Sequence, residues 1–393
     1  MRVHLALGLL SLALAAVFVA AGVLPVGQAE RSGQDPRTPA PTQAATPIVL
    51  APSVVVLPAP TGRPLPGDPS AGGIYAATLK GIRPDLADIP PRVYVPNEKN
   101  ASVSVIDPVA MKVIGEIKVG PYPQHVGASP DMTKLYVNDK GLTEIDARTG
   151  KVLRVVEVAM PYNLYFTPDG GRAIVVAEDL DRLDFYALPE WKFVQSVRIP
   201  WKGIDHLDFS ADGSYLVATT EFDGVIVKVD VREMVITGSA KVAKLPVDVR
   251  LSPDGTLFYI TDQGRHGVIL FDPVAMREVG FIPTGRGAHG LTLSRDAGSL
   301  YVSDRQAGRI TVIDVATHRV TAQWFVGGSP DMLQVSPDGR QLWTGDRFLD
   351  TVRVIDTTSG KVIAQIKVGR APHGLTYFPQ PGRISLGHNG VYR

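Results

Sequence analysis

The chain has 393 residues, 40 basic against 39 acidic, and no cysteine. The near-zero net charge gives no overall field to gather nucleic acid or anionic lipid. Without cysteine there is no disulfide framework, no thiolate chemistry and no sulfur-based zinc site.

In chain order, the first element is an apolar run from Leu5 to Val26 behind Arg2, ending near Gly27-Gln28-Ala29. A basic start, an apolar core and small residues at its end read as a secretory signal over 1–29. The run is also long enough to cross a bilayer, so an uncleaved membrane anchor is the alternative. Either way the remainder is expected outside the cytoplasm, secreted or in the cell envelope. Residues 30–72 hold ten prolines with many Ala, Thr and Gly. Such a stretch buries too little apolar surface to offset chain entropy and reads as a linker. The folded part is then 73–393.

From residue 93 one unit repeats. Val93-Tyr94-Val95-Pro96-Asn97 returns as runs starting at Leu135, Ile174, Leu216, Phe258, Leu300 and Leu342, with steps of 42, 39, 42, 42, 42 and 42. Ile106-Asp107, Ile145-Asp146, Val229-Asp230, Phe271-Asp272, Ile313-Asp314 and Ile355-Asp356 keep the same step. So do the turns at Ser129-Pro130-Asp131, Thr167-Pro168-Asp169-Gly170, Ser252-Pro253-Asp254-Gly255 and Ser336-Pro337-Asp338-Gly339. Proline fixes φ and glycine accepts positive φ, so these are turns between short strands. Four strands per copy at a period near 42 predict an all-β, seven-bladed propeller. The first copy starts at its second strand. Its innermost strand is expected from 374–378, so that the two ends of the array share a blade and no sheet edge stays open. Residues 73–92 and 384–393 have no assigned place: Ile384 to His388 resembles another second strand, and 73–92 is left to plug or cover one face.

These residues resemble a known family. Tyr-Val-x-Asn, Val-x-Val-Ile-Asp and the Ser-Pro-Asp-Gly turn match the pattern of YVTN propeller repeats. The arrangement is similar to the exported bacterial YncE-type propellers, including Pro123-Gln124-His125-Val126. The resemblance implies a binding module. Related propellers include lactonases, an antibiotic-ring lyase and the d1-haem domains of nitrite reductases, and a shared fold does not choose among them.

Counting back from each Pro-Asp turn gives the start of each innermost strand: Gln124-His125, Tyr162-Asn163, Asp205-His206, Val247-Asp248, His289-Gly290, Asp331-Met332 and His373-Gly374. These pairs should ring the mouth of the central channel, and four of the eight histidines fall among them. A second ring outside it holds Asn97, Asp139, Glu178, Thr220, Asp262, Asp304 and Asp346, followed in the later blades by Arg265, Arg305 and Arg347. The bland reading is that these side chains cap strand ends and turns. The functional reading is a ligand site built on His125, His206, Asp248, His289, Asp331, His373, Arg265, Arg305 and Arg347. Imidazole with carboxylate also suits a divalent metal, for which His289, His373, Asp331, His125 and His206 could supply three or four ligands; His289, Asp331 and His373 on consecutive blades form the best subset, opposite blades being expected too distant to share an ion. His266 and His318 lie off the ring and are expected to be exposed. His388 is expected to pair with a blade neighbour, as the repeat spacing implies.

The nucleophile elbow, the phosphate-binding glycine loop and the zincin helix are all missing from the sequence, so the reading leans away from an enzyme. The expected function is a cell-envelope binding or scaffolding module for a small molecule, a glycan or an envelope protein, with no nucleic-acid partner. The membrane would be touched only through an uncleaved leader. The alternative is a pore-centred, metal-assisted lactonase or lyase, and a d1-haem binder ranks last.

Overall fold

A computed structural model describes residues 73–393. The leader and linker expected over 1–72 lie outside the described residues, and no helix among the described residues is long and apolar enough to cross a membrane.

Seven four-stranded antiparallel sheets form the blades. Blade 1 combines Arg92–Asn97, Ser102–Asp107 and Lys112–Lys118 with Thr376–Phe378, which pairs Arg92 with Phe378 and Tyr94 with Thr376. The expected closure of the ring is therefore present. Blades 2 to 7 have innermost strands His125–Ala128, Asn163–Phe166, Ile204–Phe209, Pro246–Leu251, Ala288–Leu293 and Pro330–Val335. Burial falls from the axis outward. The innermost strand of blade 4 is buried at all six residues, while the outermost strand of blade 1, Lys112–Lys118, is almost wholly exposed. Apolar residues of neighbouring blades interlock between sheets: Val217 and Ile226 of blade 4 pack with Val249, Ile260 and Phe271 of blade 5. That packing is the core of a propeller, and it repeats around the ring.

Each Pro-Asp turn is tied by its own side chains. Ser252 Oγ donates to Asp254 Oδ1 at 2.5 Å, and Oδ1 accepts the Thr256 amide at 3.0 Å. Gly255 sits at φ +73°, in the left-handed region that glycine enters without a Cβ penalty.

The strand directions define two faces. The Pro-Asp turns and the turns after each third strand lie on one, called here the turn face. The turns after each second strand and the links between blades lie on the other, the mouth face.

The two segments outside the repeat both bind the turn face. Residues Gly73–Lys80 form a 3-10 helix whose Ile74 amide donates to Pro253 O and whose Tyr75 hydroxyl donates to Leu251 O at 2.9 Å. Further on, Leu86 and Ile89 pack on Tyr94 and Met132. After the closing strand, residues 384–393 fold into a hairpin: Ile384 and Arg393 exchange both backbone hydrogen bonds, and the Leu386 amide donates to Val391 O. This hairpin enters the channel from the turn face. Ser385 bonds Pro130 O, the Phe166 amide donates to Leu386 O, and Gly387 bridges to Tyr165.

Candidate functional site: a histidine belt under the mouth

The side chains of the belt are aimed by β-bulges. In blades 4 to 7 the pairing of the innermost strand slips between Ile204 and Leu207, Pro246 and Val249, Ala288 and Leu291, and Pro330 and Leu333. A bulge inserts an unpaired residue and redirects its neighbours. The two residues inside each slip are the predicted pairs: Asp205-His206, Val247-Asp248, His289-Gly290 and Asp331-Met332. A hydroxyl on the second strand satisfies the amide that the bulge frees. Thr261 Oγ1 accepts the Asp248 amide at 2.9 Å, and Ser303 Oγ accepts the Gly290 amide at 2.8 Å. The same Thr261 hydroxyl donates to His289 O at 2.5 Å, which locks blade 5 to blade 6. The repeat thus builds the belt and holds it rigid.

Around the ring the belt is nearly continuous. His289 Nδ1 stands 3.2 Å from Asp331 Oδ1, and His373 Nε2 is 3.7 Å from Asp331 Oδ2. The subset expected to form a metal site is therefore brought together, with Arg305 beside it at 3.7 Å from Asp331. His373 and His125 follow at 4.5 Å between ring centroids, then Tyr162, edge-on to His125 at 5.5 Å and to His206 at 6.1 Å. His206 Nδ1 lies 2.8 Å from Asp205 Oδ1. Asp248 has a structural task. It accepts the Val249 amide and, at 2.8 Å, the Leu291 amide of the next blade.

The belt differs from the expected rim in depth. His125, His206, Asp248, His289, Asp331 and His373 are all buried, none more than 5% exposed. They pack the channel below the mouth. His388 is the ring that repeat spacing placed wrongly. It sits at the tip of the inserted hairpin, with its centroid 4.1 Å from that of His125, 4.6 Å from that of His206 and 5.4 Å from that of Tyr165. Blades that are not immediate neighbours also meet here: the His125 ring of blade 2 and the His206 ring of blade 4 are 5.9 Å apart between centroids. Room for His125 comes from Gly374, where a Cβ would fall 2.0 Å from His125 Nδ1.

Burial dominates the electrostatics. It pushes the His125, His289 and His388 imidazoles well below their usual value, and neighbouring imidazoles or Arg305 add to the effect. Burial likewise pulls His373 down to about 3. For Asp331, burial favours the neutral acid, but Arg305, His373, His289 and Arg347 together outweigh it and hold the carboxyl well below its ordinary range. His206 is also pressed by burial, yet the Asp205 carboxylate prevails and raises it.

A family model of YncE-like beta-propellers matches residues 83–381. The chain belongs to the YncE-like β-propeller family. Among curated proteins nothing matches it. Several solved propellers are similar to this YncE-like chain. Hydrazine synthase of Kuenenia stuttgartiensis shares 20% identity over 64% of this chain and 88% of that one, at a TM-score of 0.56. A periplasmic gluconolactonase of Pseudomonas aeruginosa shares 18% over 74% and 99%, at 0.61. A putative 6-phosphogluconolactonase of Bacteroides fragilis shares 16% over 75% and 99%, at 0.62. At such identities the likeness is one of fold, and function has to be argued from this YncE-like chain's own site.

The outer ring of the YncE-like propeller divides. Asp262 accepts the Lys244, Leu245 and Gly264 amides, Asp304 the Thr284 and Thr311 hydroxyls, and Asp139 the Gly120 and Gly141 amides, all as caps. Asp346 holds the Ser329 amide and Arg353, Asn97 donates to Ser104 Oγ, and Thr220 Oγ1 donates to Val225 O. Glu178 is different. With Glu221 and Asp205 it forms a partly buried acidic wall at the mouth over blades 3 and 4. Burial and mutual repulsion raise Glu178 and push Glu221 up to about 7. Opposite stand Arg305 and Arg347, the latter paired with Glu98. Arg265 does not join them: it grips Glu278 on the outermost strand at 2.5 and 2.9 Å. It lies three residues past Asp262, whereas Arg305 and Arg347 directly follow Asp304 and Asp346, so its side chain leaves the turn outward. His266 and His318 are partly buried rather than exposed, bonded to Gln263 O and placed against Tyr259 respectively.

Proposed function

We propose that this YncE-like propeller is an exported cell-envelope binding module whose ligand face is the mouth, and that it acts on an envelope protein rather than on a small substrate. The observation that carries the reading is the contrast between the faces. The turn face is covered by residues 73–80 and by the hairpin of 384–393. The mouth combines an acidic wall of Glu178 and Glu221 with Arg305 and Arg347, and around them large apolar residues stand exposed. Tyr122 is 70% exposed, Phe222 62% and Phe348 66%, with Met160, Leu180 and Leu349 on the same face. Aromatic anchors among charges of both signs suit a protein partner. Export rests on the apolar leader of residues 5–26.

The lactonase or lyase alternative would use His289 with Asp331 as its proton-transfer pair. Both are buried beneath the mouth, where a lactone ring would first have to displace the packed belt.

Because the chain has no cysteine, a single thiol can be placed at will. Phe222→Cys and Phe348→Cys, each carrying a photo-crosslinker and expressed in the native envelope, should yield one discrete adduct. Val109→Cys and Val274→Cys, on highly exposed turns of the opposite face, should yield none. Adducts from the turn face alone would end this reading.

A further inference from the structure

We infer that His125, His206 and His388 form a transition-metal site on the propeller axis, of the all-nitrogen kind that takes a divalent copper or zinc ion. The inference stands apart from the mouth reading, since it concerns residues beneath the mouth and needs no partner.

Three observations carry it. One ring nitrogen from each of the three residues lies within 4.8 Å of those of the other two. All three side chains are at least 98% buried. Both nitrogens of His125, both of His388 and Nε2 of His206 lack a hydrogen-bond partner among the described residues. A buried polar atom without a partner loses its hydration and gains nothing in return, so proteins rarely leave one and seldom leave a cluster. An ion among the rings would satisfy one nitrogen of each at once. Edge-on packing of imidazoles alone would leave all of them unsatisfied.

The surroundings fit a ligand set. Asp205 Oδ1, 2.8 Å from His206 Nδ1, stands in the place of a carboxylate that orients a metal-bound imidazole. Among the described residues the ligand group is made of imidazoles alone, which suits zinc or divalent copper and disfavours magnesium or calcium. His373, 4.5 Å from His125, is oriented by Gln124 O at 3.1 Å to its Nδ1 and has Nε2 toward Asp331, so it belongs to the neighbouring acidic group. The ligands come from blade 2, blade 4 and the hairpin tip. An ion there would pin the hairpin inside the channel, and metal binding would be read out as stability of the closed plug.

The test uses the whole folded protein after chelator treatment, titrated with zinc and, for its visible spectrum, cobalt. One equivalent should bind, with a cobalt d–d spectrum of nitrogen coordination and a rise in Tm. His206→Ala and His388→Ala should each weaken zinc binding on the order of 100-fold or more, and Asp205→Asn about 10–100-fold. His266→Ala and His318→Ala should not change it. Circular dichroism of each apo variant separates lost ligands from lost fold. If His388→Ala fails to fold, copper-loaded wild type read by electron paramagnetic resonance for imidazole nitrogen hyperfine decides instead. No stoichiometric ion, no imidazole hyperfine, or binding lost with His289→Ala but kept in His388→Ala would overturn the inference.

Discussion

Arg393 reaches from the inserted hairpin to Asp208 of blade 4, Nη2 to Oδ1 at 2.8 Å, and also donates to Phe209 O at 2.8 Å and Ser210 O at 3.0 Å. Asp208 in turn accepts the Phe209 amide and, through Oδ2, the Leu251 amide of blade 5. One charge pair therefore joins the plug to two blades, and both partners are buried. Arg393→Ala would remove the ion-pair partner of a buried carboxylate, which costs about 3–5 kcal/mol. Urea unfolding should show that loss, and Arg393→Ala with Asp208→Asn should cost less than the sum of the two single changes.

The plug should matter beyond that one pair. Leu386, Val391 and Tyr392 are buried inside the channel, and burying one such side chain contributes about 1.5–3 kcal/mol. A chain ending at Arg383 should keep its seven blades, because the closing strand Thr376–Phe378 remains. It should lose on the order of 5 kcal/mol of stability. Amides of the innermost strands in blades 2 and 3 should then exchange faster, as measured by hydrogen exchange. Unchanged exchange at Phe166, whose amide bonds Leu386 O, would contradict the inserted hairpin.

How much of this was legible in the sequence follows from what repeats. The seven blades, the ring closure and the belt positions recur every 39 or 42 residues, so Asp205-His206 and Asp331-Met332 could be placed by counting. Depth could not be counted. Whether His125 lines an open rim or lies sealed depends on what fills the channel, and the first half of the filler, Ile384 to His388, resembles one more second strand rather than a plug. His388 keeps the repeat's own spacing from His373, which points to a place beside it in one blade, whereas the hairpin carries it into the channel. Arg265 failed for a different one: a shift of two residues within a turn reverses the side chain's direction, and composition alone does not register it. The signal available for the tail was Leu386 and Val391-Tyr392 on either side of Gly387 and Gly390, a short apolar hairpin pattern.

Acid should destabilise the protein steeply. His125, His289 and His388 are held neutral far below their ordinary value by burial, and His373 down to about 3. For a base whose folded value is depressed, the unfolded chain takes up the proton first. Stability is then complete above about pH 6.5 and falls as the pH drops below it. Each such ring adds a slope of about 1.4 kcal/mol per pH unit. His206, raised by Asp205 against burial, runs the other way and gives a smaller loss above pH 6.5. In chelator, urea midpoints should fall sharply between pH 7 and pH 5.5. His289→Gln should lessen that slope by about one proton's worth.

Glu221 sets a dependence of opposite sign. Burial, followed by repulsion from Asp205, pushes its carboxyl up to about 7 against the pull of Arg305 and His206, and the neighbouring Glu178 is raised for the same reasons. The folded protein thus keeps a proton that the unfolded chain releases near pH 4.5. Its contribution is present below that pH and lost as the pH rises toward about 7. Glu221→Gln keeps the shape and removes the titration, so the variant should gain stability on the order of 3 kcal/mol at pH 8 and nothing at pH 4. Unfolding midpoints of wild type and variant across pH 4 to 8 should diverge upward with pH. Parallel curves would mean that the acidic wall is ionised at no cost, and the mouth would then be more open to solvent than its burial implies.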